Sequence, residues 1–120
     1  MEQRIKERLD ELTELRNAIK LEGNSYGEDS PERKRLAKKF SEVNEAVKYL
    51  ENGPSEQFIK DEIEKAFKKI EIRGLERLKV EEELDKRYIS EDVYDEKMDS
   101  LNDKIYKKQI KFLRAVLPKN

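Results

Sequence analysis

Residues 86–95 read KRYISEDVYD, and how the second half of this chain folds turns on them. A helical pattern otherwise runs from Ser55 to Leu117, and this stretch interrupts it with neither Gly nor Pro. Ser90 is a good N-cap residue, because its hydroxyl accepts a hydrogen bond from an N–H left unpaired in the first helical turn. Glu91 and Asp92 then fall in that turn, where carboxylates favour the positive end of the helix dipole. Ile89 and Tyr94 occupy the two positions of a hydrophobic staple. Lys86 and Arg87 suit the negative end of a preceding helix. The stretch therefore predicts a tight turn between two antiparallel helices, one over about 55–88 and the next over about 91–117.

Working outward, the third predicted helix carries Ile59, Ile63, Ala66, Phe67 and Ile70 on one side. The stripe then breaks. At 100° per residue Ile72 and Leu75 point to the back, and the seam would receive Arg77 and Glu81 before Leu84 and Tyr88 recover it. Gly74 lies between them and marks a point of weakness or a kink, since Gly in a helix interior costs about 1 kcal/mol relative to Ala. The fourth helix has a seam of Tyr94, Met98, Leu101, Ile105, Phe112 and Val116, joined late by Tyr106, Ile110, Leu113 and Leu117. Its C-terminal half should be the more deeply buried. Pro118 lies just past its end.

The segment LDKRYISEDVYDEKMDSL, residues 84–101, resembles the helical hairpins of the short C-terminal domain family and of the coiled coil in large serine recombinases. Both often show a short turn, then Ile-Ser or Ile-Thr, acidic residues, an aromatic and a Leu. The resemblance covers about a sixth of the chain and implies a hairpin geometry, not a function. Tyr88 stands where those hairpins usually have Gly, and there is no Cys for a recombinase-type zinc ribbon.

In the first half, Ile5, Leu9, Leu12, Leu15 and Ile19 form one apolar stripe over a helix of about 2–22. Gly23 is the expected left-handed cap. After the loop GNSYGEDS, Ser30-Pro31 supplies an N-cap and a first-turn Pro. Leu36, Phe40, Val43, Val47 and Leu50 follow at heptad spacing over 31–51, and Asn52-Gly53-Pro54 stops the helix. The expected fold is all-α: a single domain over 1–120, a four-helix antiparallel, coiled-coil-like bundle. The third and fourth helices would form a long hairpin projecting beyond the shorter first and second.

Composition agrees with long amphipathic helices. Charged residues make up 46% and hydrophobic ones 35%, against about a quarter charged in an ordinary globular domain. With 27 basic and 28 acidic side chains the net charge is −1, so attraction to a polyanion has to be local. The absence of Cys and His removes thiolate chemistry, the commonest general base and the di-metal pattern of helical bundles. Glu91, Asp95, Asp99 and Asp103 recur every four residues, but the stripe drifts around the helix and reads as a solvated face. No phosphate-cradling glycine loop or positioned nucleophile is present. The expectation is no enzyme, catalytic residue, metal or cofactor. No apolar run approaches membrane-spanning length and no signal-peptide core is visible, which makes a cytoplasmic setting the default.

Two surfaces stand out. The hairpin turn is flanked by Glu82, Glu83, Asp85, Glu91, Asp92 and Asp95, an acidic tip suited to a protein partner. Basic faces form on the second helix, with Arg33, Lys34 and Lys38, and on the fourth, with Lys104, Lys107, Lys108, Lys111 and Arg114. Like charges three or four apart repel, so a partner, a neighbouring helix or phosphates would relieve them. Tyr26, in the first loop, is a further contact candidate. The expected function is that of a non-enzymatic interaction protein, an adaptor, assembly factor or inhibitor, that binds a protein and self-associates, most simply as a dimer. The alternative, less favoured, is a small nucleic-acid-associated helical subunit of a mobile-element or defence complex, using the basic faces.

Overall fold

A computed structural model describes residues 2–119. They form α1 (Gln3–Gly23), α2 (Pro31–Glu51), α3 (Glu56–Asp85), α4 (Glu91–Ser100) and α5 (Lys104–Val116), with no strand among the described residues. No helix among them is long and apolar enough to cross a membrane. The chain gathers into two compact units, Met1–Lys60 with Arg114–Asn120, and Asp61–Leu113.

In the first unit α1 packs on α2. Arg16 donates to Asn44 Oδ1 at 3.0 Å, and Gly23 lies against Leu36, so the two helices run antiparallel. Ile5, Leu12 and Ile19 are the buried side chains of α1, seven residues apart, while Leu15 is exposed at the edge of the stripe. The five largest fully buried side chains, Ile5, Val47, Leu50, Ile59 and Val116, come from α1, α2, the first turn of α3 and the end of α5. Polar groups on α1 and at its N-cap hold the incoming helix ends. The Glu2 carboxylate accepts from the Glu56 N–H at 3.0 Å and Arg4 pairs with the Glu56 carboxylate at 3.2 Å. Arg8 Nη2 donates to the Ala115 carbonyl at 2.7 Å. An anion at a helix N-terminus and a cation at a C-terminus is the arrangement the helix dipole favours.

Helix ends in this unit follow local chemistry. The Ser30 hydroxyl accepts from the Arg33 N–H at 3.1 Å, with Pro31 in the first turn. At the other end of α2, Gly53 takes φ +72° and its N–H donates to Leu50 O at 2.9 Å. A side chain would strain that left-handed position. The cap expected at Gly23 does not form. Gly23 stays in the right-handed helix, Asn24 follows at φ −68°, and the Ser25 and Tyr26 N–H groups continue the turns onto Glu22 O and Gly23 O. No reversal of φ is needed there.

The second unit holds the hairpin. α3 is helical through Gly74. It ends at Asp85, before the expected 88, in a Schellman motif. The Tyr88 N–H donates to Glu83 O at 2.8 Å and the Arg87 N–H to Leu84 O at 2.9 Å, with Arg87 left-handed at φ +59°. The interruption thus needs no Gly, because an Arg accepts the position. α4 then starts on Ser90, whose hydroxyl accepts from the Val93 N–H at 3.3 Å. Two substitutions at this turn should move stability in opposite directions. Ser90→Ala should cost about 0.5–2 kcal/mol. Arg87→Gly should gain up to about 1 kcal/mol, since left-handed φ costs an L-residue about 1–2 kcal/mol, partly offset by the chain entropy of Gly. Urea denaturation reads both, and a loss of stability for Arg87→Gly would contradict the motif.

The helix expected over 91–117 is two helices. α4 stops at Ser100, Leu101 leaves the helical region at φ −94° and ψ 17°, and α5 begins at Lys104. Asn102 Oδ1 accepts from the Lys104 N–H at 2.8 Å. Three residues outside the helical repeat shift its phase. Ile105, expected in the seam, is 76% exposed, while Ile110, Leu113 and Val116 are buried. Asp103, expected on a solvated face, is only 9% exposed.

Candidate interaction surfaces

The break between α4 and α5 is held by α3. Arg73 Nη1 donates to Ser100 O and Arg77 Nη1 to Leu101 O, both at 2.9 Å. Those carbonyls belong to the last residue of α4 and to its C-cap, where no intrahelical N–H remains for them. Arg77 also pairs with Asp103 at 3.5 Å, and Lys107 reaches the same carboxylate at 3.5 Å. The Tyr106 ring lies under Arg73 at 5.1 Å and Lys69 at 5.4 Å, a cation–π arrangement. Further along, Lys97 pairs with Glu83 at 3.0 Å. Moving forward along α4 and α5, the partners move backward along α3, which makes the pair antiparallel. Sequence reading placed Arg77 in the seam as a misfit and missed what it does. The available signal was Asn102-Asp103, two residue types that favour helix starts.

The acidic residues of the tip are brought together by the turn. Glu82, Asp85, Glu91, Asp92 and Asp95 are exposed on the last turns of α3 and the first of α4. Glu83 is half-buried under its pair with Lys97, and Glu82 pairs with Lys86 at 2.8 Å. Between Glu81 and Glu96 there are eight acids and two bases, so the local field is strongly negative. Among the described residues no three acidic side chains come together as metal ligands.

On α5, Lys104, Lys107, Lys108, Lys111 and Arg114 are all exposed. On α2, Lys34 and Lys38 are exposed, whereas Arg33 is half-buried and donates to Tyr26 O at 3.3 Å. Arg33 lines an apolar groove with Ile19, Leu36 and Phe40, so its aliphatic stem covers that groove while its head is used by the loop.

A third surface is apolar. On the outer side of α3, Ile72, Leu75 and Leu78 are 55%, 57% and 61% exposed. They lie opposite Ala66, Arg73, Arg77 and Val80, which face the packed side. Sequence periodicity anticipated the outward direction of Ile72 and Leu75.

No protein-family model matches this chain, and neither a curated protein nor a solved structure shows significant similarity to it.

Proposed function

We propose that this protein is a non-enzymatic helical interaction protein, an adaptor, assembly factor or inhibitor, that works in the cytoplasm, binds a protein partner and self-associates. In this reading the acid-rich turn between α3 and α4 meets a basic partner surface. The observation that carries the proposal is the exposed apolar strip Ile72, Leu75 and Leu78. Contiguous apolar surface rimmed by charge marks interaction sites. The acidic turn adds selectivity, because opposed charges steer encounter and reject wrong partners. An affinity capture with mass spectrometry, run with and without nuclease, tests it. Stoichiometric protein capture that survives nuclease supports the reading. Capture that disappears with nuclease overturns it.

The exposed basic face of α5 favours a second reading, contact with a nucleic-acid backbone. Under the interaction reading, no DNA or RNA binding is expected at about 150 mM salt, where charges more than about 10 Å apart are largely screened. Replacing Lys107, Lys108 and Lys111 with Gln should then leave the fold intact and slightly relieve like-charge repulsion. Filter binding across a salt series decides the matter. Sub-micromolar, salt-sensitive binding would establish the second reading instead, provided the triple variant lowers its log–log slope by about 0.7–0.9 for each phosphate no longer neutralised.

A further inference from the structure

The outer face of α3 carries a charge pattern that changes sign about Leu75. At 100° per residue Leu75 is central, with Ile72 and Leu78 about 60° to either side. Four residues before Leu75 stands Glu71 and four after it Lys79; seven before stands Lys68 and seven after Glu82. All four charged residues are exposed on the side that Leu75 faces. Among the described residues Lys68, Glu71 and Lys79 take part in no intrachain ion pair, and Glu82 holds only the exposed Lys86 four residues on. We propose that this face is the docking surface for a second copy of the chain, with the two α3 helices antiparallel across a two-fold axis at Leu75.

A two-fold axis at Leu75 sets each residue before it level with the residue equally far after it on the partner helix. Leu75 then meets Leu75, and Ile72 lies level with Leu78. Glu71 lies level with Lys79, and Lys68 with Glu82, each pair occurring twice. Parallel pairing in register would instead set Glu71 against Glu71 and Lys79 against Lys79. The pattern thus selects the antiparallel partner and rejects the parallel one by like-charge repulsion. It also accounts for three large apolar side chains left on the side of α3 away from the packed one. The proposal rests on the interaction reading above and names one partner for it.

Charge reversal tests it in the full-length chain. Sedimentation equilibrium should show a dimer forming at micromolar concentrations. Glu71→Lys alone sets Lys against Lys twice, and Lys79→Glu alone sets Glu against Glu twice. Each should weaken self-association by about tenfold or more, a change of at least about 1.4 kcal/mol. Mixing the two variants should restore a dimer, now a heterodimer, because both pairs become opposite in sign again. Since the chain has no Cys, Leu75→Cys offers an independent measurement. At the axis, two helices about 8–10 Å apart bring the facing residues within disulfide reach. Copper phenanthroline should link Leu75→Cys into a dimer and leave Lys68→Cys unlinked. A chain monomeric at every concentration, or a dimer indifferent to the reversals and not linked through Leu75→Cys, overturns the proposal. Protein capture that persists in either case leaves the partner-binding part of the interaction reading standing. Absence of both self-association and capture removes the two together.

Discussion

Leu50→Ala is expected to cost about 2–5 kcal/mol, the range for deleting a buried Leu side chain and leaving a partly collapsed cavity. Leu50 is 0% exposed and sits at the end of α2, in the unit where α1, α2, the start of α3 and the end of α5 supply the fully buried side chains. Its carbonyl also receives the Gly53 N–H that closes the helix. The same change at Leu75, also a helical Leu, should cost less than about 0.5 kcal/mol. Leu75 is more than half exposed, so truncation there removes little buried area. Urea denaturation at a concentration below self-association measures both, with an unchanged m-value confirming that only stability moved. Similar costs for the two substitutions would mean that the buried centre of the first unit is not packed as described.

Much of this fold could be read from spacing and caps because those signals are local. Ile5, Leu12 and Ile19 are buried where the periodicity puts them. Ser30-Pro31, Asn52-Gly53-Pro54 and Ser90 start or stop helices through hydrogen bonds within a few residues. Two features escaped the sequence, one local and one not. Arg87 takes a left-handed conformation that residue preference assigns to Gly, because the Schellman bonds and the turn into Ser90 hold it there. The break at Leu101–Asp103 contains no Gly or Pro and depends on arginines two dozen residues earlier in the chain. Periodicity counts charged residues as outward-facing, so it took Asp103 for a solvated acid and extended the seam through Ile105. The same rule treated Arg77 as a flaw in the α3 stripe, although the two charges meet. The outward apolar face at Ile72 and Leu75 was legible, yet periodicity alone does not say what covers such a face. What separates an outward face from a buried one is the packed side of α3, which carries Ala66 and Val80.

Arg77 carries the second large effect. It donates to the Leu101 carbonyl and pairs with Asp103, whose side chain is 12% exposed. Arg77→Ala leaves that carbonyl without its charged donor and leaves the carboxylate with Lys107, a flexible side chain that is 68% exposed and 3.5 Å away. Breaking a buried pair by deleting one partner costs about 3–5 kcal/mol. The Arg77 side chain is 29% exposed, so solvent screening reduces this to about 2–3 kcal/mol. Asp103→Asn keeps the shape and removes the charge, and should cost only about 1 kcal/mol, since a neutral amide can still accept from the guanidinium. A double-mutant cycle with Arg77→Ala and Asp103→Ala isolates the pair, and a coupling of about 1–2 kcal/mol is expected. Replacing both with Leu should recover most of the loss, because the desolvation of two charges disappears with them. The carbonyl of Leu101 would still lack its donor, so recovery should be incomplete, and amide exchange in residues 101–104 should remain faster than in the unmodified chain. A coupling near zero would show that Arg77 acts only on the carbonyl, and that Asp103 is held by Lys107 alone.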